Sequence, residues 1–329
     1  MITIHCGLHK TGSSAIQLAL RSSFSDSRVA VPVPDQRTTD DLLSSRLRQL
    51  PEDGVLSDEH VLGNAFDGYS SASSRIAMIN EALSGRRFQL VVYVRPQLRW
   101  LESLYIQGVQ MGWREDPEAF VEKVTSSQWI SWQQLSTHLT DVSNAEKVII
   151  RPYVTGANVV SDFARVIRSR VMAVQAYRGF RVNQSLPPRR AQLIHLALAA
   201  GVMNSRDVTG LRGTLAAMPD VLGIEAESIF PVALQERVVL TYRDDWCRIS
   251  QDWAVGNSRG ILGDLVVSDE FCVRPYVGSD LRSPALRSEL RDLVFRCASQ
   301  LKDEGKPPNL WRRLRTVSRS KASSMGGGV

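Results

Sequence analysis

The residues with most chemical potential lie together near the start: Gly7-Leu8-His9-Lys10-Thr11-Gly12-Ser13-Ser14. One ammonium, two glycines and the hydroxyls of Thr11, Ser13 and Ser14 fall within a single turn. Such a set suits an oxyanion. Backbone N–H groups at a helix start, the positive end of the helix dipole and a cation all converge where a phosphate could sit. The plainer alternative is a tight turn in which Ser13 or Ser14 only caps the following helix.

Two further groups could act with this loop. The unbroken apolar run Leu90-Val91-Val92-Tyr93-Val94 ends in Arg95-Pro96, and Ser103 follows eight residues after the arginine. An arginine fork and a serine hydroxyl can hold one phosphate between them. Ser57-Asp58-Glu59-His60 closes a shorter apolar stretch. Glu59 and His60 are candidate general bases, and His60 has the ordinary pKa nearer neutrality. The alternative is that Ser57 and Asp58 cap a helix whose first turn carries Glu59. His9 is another candidate base or a group that orients the loop, and His5 reads as a satisfied core histidine.

These groups need elements to position them. Ile2–Cys6 reads as a strand, with a helix from Ser13 to Phe24. Helices are expected near Thr39–Leu50 and Ser73–Leu83, with a short strand at Val55–Ser57 between them. Residues 88–94 form a strand buried on both faces. Pro96 fits the first position of a helix whose Leu98, Leu101, Leu104, Tyr105 and Val109 face the sheet. Ser127–Leu139 suggests a helix, and Lys147–Arg151 a strand stopped by Pro152. This alternation implies an α/β fold with a central parallel sheet flanked by helices, followed by a helical C-terminal portion. There, helices are expected from Pro187-Pro188 through Leu198 and from Pro231 to Trp253, with the Trp residues as packing groups. The organisation expected is one α/β domain over 1–304, with sheet core roughly 1–186 and helical remainder 187–304, then a basic tail over 305–329.

Composition narrows the classes. The chain has 329 residues, 43% of them hydrophobic, enough for a large core. Its formal charge is +6. Lys306, Arg312, Arg313, Arg315, Arg319 and Lys321 lie in an acid-free tail and account for all of it, so the body is neutral and no nucleic-acid face is implied. The tail reads as a flexible, solubilising segment that could touch anionic lipid or an acidic polymer. Cys6, Cys247, Cys272 and Cys297 lack C-x-x-C pairing, and the five histidines show no metal-ligand spacing in sequence. Free thiols, no signal peptide and no membrane-length apolar run lead us to expect a cytoplasmic protein without a metal.

The first loop departs from the P-loop of ATP and GTP enzymes, where lysine follows the second glycine. Here Lys10 precedes Gly12. His5-x-Gly7-x-x-Lys10-Thr11-Gly12-Ser13-Ser14 instead resembles the 5′-phosphosulfate loop of bacterial sulfotransferases, which use 3′-phosphoadenosine 5′-phosphosulfate (PAPS). Arg95 and Ser103 match that family's 3′-phosphate element residue for residue, and Ser57-Asp58-Glu59 resembles its S-x-E string. The resemblance implies a P-loop-type three-layer fold and no metal. It also implies donor binding by His9, Lys10, Thr11, Gly12, Ser13, Ser14, Arg95 and Ser103. Lys10 would act on the oxygen that bridges phosphorus and sulfur, and Glu59 or His60 would be the base. Ser103 would also restrain the lysine. Arg181-Val182-Asn183-Gln184-Ser185-Leu186 resembles a late R-x-N-x-S-[LI] loop, although Ser185 equally suits a helix cap before Pro187. The R-K-G segment and Y-P-K-[SA]-G-T-[TN]-W loop of cytosolic animal sulfotransferases are absent, which leaves adenine recognition unplaced. The default acceptor among bacterial relatives is a carbohydrate or glycolipid. A P-loop kinase acting on a small molecule and a noncatalytic nucleotide-binding protein are the alternatives. The sequence is silent on oligomeric state.

Overall fold

The computed structural model describes residues 1–24, 28–31, 39–153, 158–169, 186–210, 228–256, 274, 288 and 292–293. The late R-x-N-x-S loop, apart from Leu186, and the basic tail lie outside them. The chain divides into two compact units. The first comprises residues 1–104, 120–183 and 237–272, and the second comprises 105–119, 184–236 and 273–329.

The first unit is built on strands β1 (Ile2–Cys6), β2 (Val29–Ala30), β3 (Val55–Asp58), β4 (Phe88–Val94) and β5 (Lys147–Pro152). All pair in parallel, in the spatial order β2-β3-β1-β4-β5. Every residue of β1, β3 and β4 is buried, the polar Thr3, His5, Ser57, Asp58 and Gln89 included, as strands covered by helices on both faces must be. Chain connections leave β1 toward β3 and leave β4 toward β5. The switch point therefore lies between β1 and β4, and open parallel sheets bind ligands in the crevice outside the strand carboxyl ends at such a point. The register Cys6↔Val92 brings the ends of these two strands level.

Helices α1 (Ser13–Ser23), α2 (Asp40–Gln49), α3 (Ala72–Ala82), α4 (Gln97–Gln110), α5 (Pro117–Thr125), α6 (Trp132–Val142) and α7 (Val159–Val166) complete the order to residue 166. On one face of the sheet, Ile16, Ala19 and Leu20 of α1 and Val160, Phe163 and Ala164 of α7 pack on Val55, Val91 and Tyr93. The alternate residues Ile4, Leu56, Leu90 and Val92 are buried toward the other face. There α2, α3 and α6 pack in sequence on one another. This is a three-layer α/β arrangement.

Several boundaries differ from the sequence reading. Pro96 stands one residue before α4, where its carbonyl accepts the Trp100 N–H at 2.9 Å. The expected helix over Ser127–Leu139 is broken into a 3₁₀ turn at Gln128–Ile130 and α6, because Ser131 takes the cap position and accepts the Gln134 N–H. Asp245, from the long helix Val232–Gly256, strengthens that cap. Its carboxylate accepts the N–H groups of Trp132 and Gln133 at 3.0 Å each, where the helix dipole favours an anion.

In the second unit, helix Pro188–Ala199 is buried along Ala191, Leu193, Ile194, Ala197 and Leu198. Tyr105 Oη donates to the Glu115 carbonyl at 2.7 Å and lies 3.2 Å from His195 Nδ1. Among the described residues no helix is long and apolar enough to cross a membrane.

Candidate active site

The loop from Gly7 to Gly12 leaves β1 and is fixed by its own side chains. Thr11 Oγ1 donates to the Leu8 carbonyl at 2.6 Å, and Ser13 Oγ donates to the same oxygen at 3.3 Å. Both residues are buried. Gly7 is required here, because a Cβ at that position would stand 2.4 Å from Ser13 Oγ. The sequence assigns the hydroxyls of Thr11 and Ser13 to ligand. The structure turns their protons inward, to hold the loop. The part of the loop that faces solvent is Lys10, Gly12 and Ser14.

Gly12, not a serine, occupies the helix N-cap, with φ +81 and no side-chain cap bond. Lys10 also has a left-handed backbone, with φ +66, which costs a non-glycine residue about 1–2 kcal/mol. Left-handed turns of this kind aim successive N–H groups into one concavity. The N–H groups of Ser13 and Ser14, in the first turn of α1, have no acceptor inside the helix. N–H groups so placed, beside a lysine whose charge acts on His9 and Glu59, can form a cradle for an anion.

Distant groups lock this cradle. Trp100 Nε1 of α4 donates to the His9 carbonyl at 2.9 Å, and the His9 N–H donates to Tyr69 Oη at 3.0 Å. The Gly7 N–H donates to the Asp58 carbonyl at 3.2 Å, tying the loop to the end of β3.

The arginine that ends β4 reaches the same place. Arg95 holds its guanidinium carbon 5.8 Å from the centre of the Tyr153 ring. Gly12 lies against the same ring: a Cβ there would meet Tyr153 Cε2 and Val159 Cγ1 at 2.9 Å each. The cradle and Arg95 therefore meet on one aromatic ring. The Arg95 carbonyl accepts from Trp132 Nε1 at 2.6 Å, and the Tyr153 N–H donates to the Val94 carbonyl at 2.7 Å, so both residues are anchored through backbone. Ser103 lies two turns along α4 and is 9% exposed.

On the β3 side, Asp58 does not start a helix. Its Oδ1 accepts the His60 N–H at 2.8 Å, a local turn that sets Glu59 and His60 on the strand end. The same oxygen lies 3.4 Å from His60 Nδ1, a separation that serves an ion pair when the ring is protonated. Asp58 is buried, and this contact is the main reason the His60 pKa is raised, partly offset by burial and by Arg75. Burial raises the Glu59 carboxyl, with the positive fields of His60 and Lys10 opposing it. His9, also buried, is pushed down to about 3, first by desolvation and then by His60 and Lys10, so its ring is neutral. The rings of His9 and His60 stand edge to face, 5.1 Å apart. The donor atoms of His9, Glu59 and His60 all lie within 4.8 Å of one another.

Sequence reasoning thus missed Asp58 as a partner of His60, and Tyr153 as the ring shared by cradle and arginine. Asp58 carried a signal, being an aspartate two residues before a histidine at a strand end. Tyr153 carried a weaker one, its position just past Pro152 at the end of β5. Tyr69 and Trp100 carried none, since their bonds to the loop span 60 and 91 residues.

No protein-family model, no curated protein and no solved structure matches this chain.

Proposed function

We propose that this chain is a P-loop-type sulfotransferase that moves a sulfuryl group from PAPS to a hydroxyl or amine, with a carbohydrate or glycolipid as the acceptor class. One observation carries the reading: Gly12 and Arg95 converge on Tyr153 at the β1–β4 switch point. A donor with phosphates at both its 5′ and 3′ positions needs two anion sites on one crevice, and the convergence supports that pairing.

In the reaction, the acceptor oxygen attacks sulfur, and the bond from sulfur to the bridging oxygen breaks. The electron pair stays on that oxygen, giving adenosine 3′,5′-bisphosphate. Lys10 sits beside the cradle and neutralises the charge that develops there, an interaction stronger in the transition state than in the ground state. The acceptor's proton goes to His60, whose Nδ1 faces Asp58 and whose Nε2 is therefore the accepting atom. Asp58 then stabilises the imidazolium, the part an aspartate plays in a Ser-His-Asp triad. Glu59, whose carboxyl pKa burial raises, is the alternative base.

One observation favours the kinase alternative: a carboxylate, Asp58, does end the strand beside β1. Asp58 is only 1% exposed, however, and is already engaged by the His60 N–H and lies 3.7 Å from Arg46, which opposes a metal-binding role. Labelled sulfate from PAPS should reach an acceptor in a carbohydrate and glycolipid screen. Transfer of labelled phosphate from Mg-ATP, with no sulfate transfer, would overturn the reading. Nucleotide binding with neither transfer would point to the noncatalytic alternative.

A further inference from the structure

We infer that His9, Glu59 and His60 form a binding site for a divalent transition-metal ion, with Zn²⁺ as the representative of its class. The sequence shows no ligand spacing because the three residues come from the ends of two neighbouring strands, β1 and β3. Folding gathers one donor atom from each within 4.8 Å of the others. Zinc bonds to imidazole nitrogen and carboxylate oxygen are about 2.0–2.2 Å long, which puts tetrahedral ligands roughly 3.3–3.5 Å apart. Closure therefore needs a shift of up to about 1.5 Å. Glu59 and His60 can supply it, since both are half-buried in a turn.

The donor set and its surroundings both argue for a metal. Two imidazoles and one carboxylate suit zinc and its neighbours, whereas magnesium and calcium take oxygen shells. Histidines that bind metal usually have the second ring nitrogen held by a carboxylate or another polar group. Here Asp58 Oδ1 faces His60 Nδ1 at 3.4 Å, and Tyr69 Oη faces His9 Nδ1 at 3.5 Å. Nε2 of each ring is left as the ligating atom. Three protein ligands leave a fourth position for water or for a donor phosphate. Lys10 and Arg75 place positive charge nearby and weaken cation binding, while Asp58 and Glu59 oppose them with two negative charges.

Metal at this point would occupy the nitrogen assigned above to proton acceptance, so it would inhibit transfer. That consequence rests on the sulfotransferase reading; the binding itself does not. The test is calorimetric titration of ZnCl₂ into the full chain after treatment with chelator and dialysis, with MgCl₂ in parallel. We expect one saturable Zn²⁺ per chain, no comparable Mg²⁺ binding, and a loss of at least about tenfold in affinity in both His60→Ala and Glu59→Gln. Circular dichroism and the urea midpoint monitor the fold of each variant; if His60→Ala proves unstable, Glu59→Gln decides. Zinc binding unchanged in the folded variants, equal Mg²⁺ affinity, or no saturable zinc binding would overturn the site. Zinc binding without inhibition of transfer would leave the site standing and remove His60 as the base.

Discussion

His5 offers a direct test of how the sheet core is built. It is fully buried beside the Gly7–Gly12 loop, with Nδ1 2.7 Å from Ser57 Oγ and its ring packed at 5.7 Å from Tyr93 and 5.0 Å from Phe163. Its Nε2 has no partner among the described residues. Burial pushes its pKa from 6.5 down to about 3. A base whose pKa is depressed by folding binds its proton more tightly when unfolded. Its neutral form therefore contributes stability that is complete above pH 6.5 and is lost as pH falls toward 3. At pH 5 the loss from this one residue is about 2 kcal/mol, rising toward about 5 kcal/mol near pH 3. His5→Gln keeps a polar partner for Ser57 and removes the titration. Urea unfolding of both proteins at pH 7.5 and pH 5 should show wild type losing about 2 kcal/mol more than the variant over that interval. Losses shared by other groups, including His9, cancel in the difference. An equal loss in the two proteins would refute the burial argument.

Three further outcomes follow from the geometry. Lys10→Ala should lower the rate of sulfuryl transfer by about 10²–10³, as removal of one oxyanion donor does, with the circular dichroism spectrum unchanged; a rate within tenfold of wild type would count against Lys10. Gly12→Ala places a Cβ 2.9 Å from Tyr153 and Val159 at a left-handed position. It should cost about 1–3 kcal/mol in urea unfolding and weaken nucleotide binding. Asp245→Ala removes two acceptors from the start of α6 and should cost about 1–3 kcal/mol in the same assay.

The parts of this molecule that were legible in its sequence are those governed by local pattern. The apolar run Leu90–Val94 of β4, buried on both faces, shows as an unbroken stretch, and the glycines after β1 and the arginine after β4 mark the crevice between the two strands. Short or interrupted elements were not legible. Helix α5 is a nine-residue segment beginning at Pro117, too short for its amphipathic pattern to stand out, and β2 is two residues long. Ser131 looked like an ordinary helical position because its cap partner, Asp245, lies more than a hundred residues away. The direction of the Thr11 and Ser13 hydroxyls depends on where the Leu8 carbonyl points, which composition does not encode. The pairing of His9 with Glu59 and His60 depends on β1 and β3 being neighbours, which only the sheet order supplies.

The central claim is that the cradle at Gly12 and the arginine at the end of β4 hold opposite phosphates of one adenosine nucleotide. Calorimetric titration with adenosine 3′,5′-bisphosphate and with adenosine 5′-monophosphate, both in chelator, tests it on wild type, Arg95→Ala and Lys10→Ala. Wild type should prefer the bisphosphate by at least about tenfold, the scale of one charge-assisted phosphate contact. Arg95→Ala should lose that preference while keeping its affinity for the monophosphate, and Lys10→Ala should weaken both ligands. Equal affinity of wild type for the two nucleotides, or equal loss of both in Arg95→Ala, would contradict the claim.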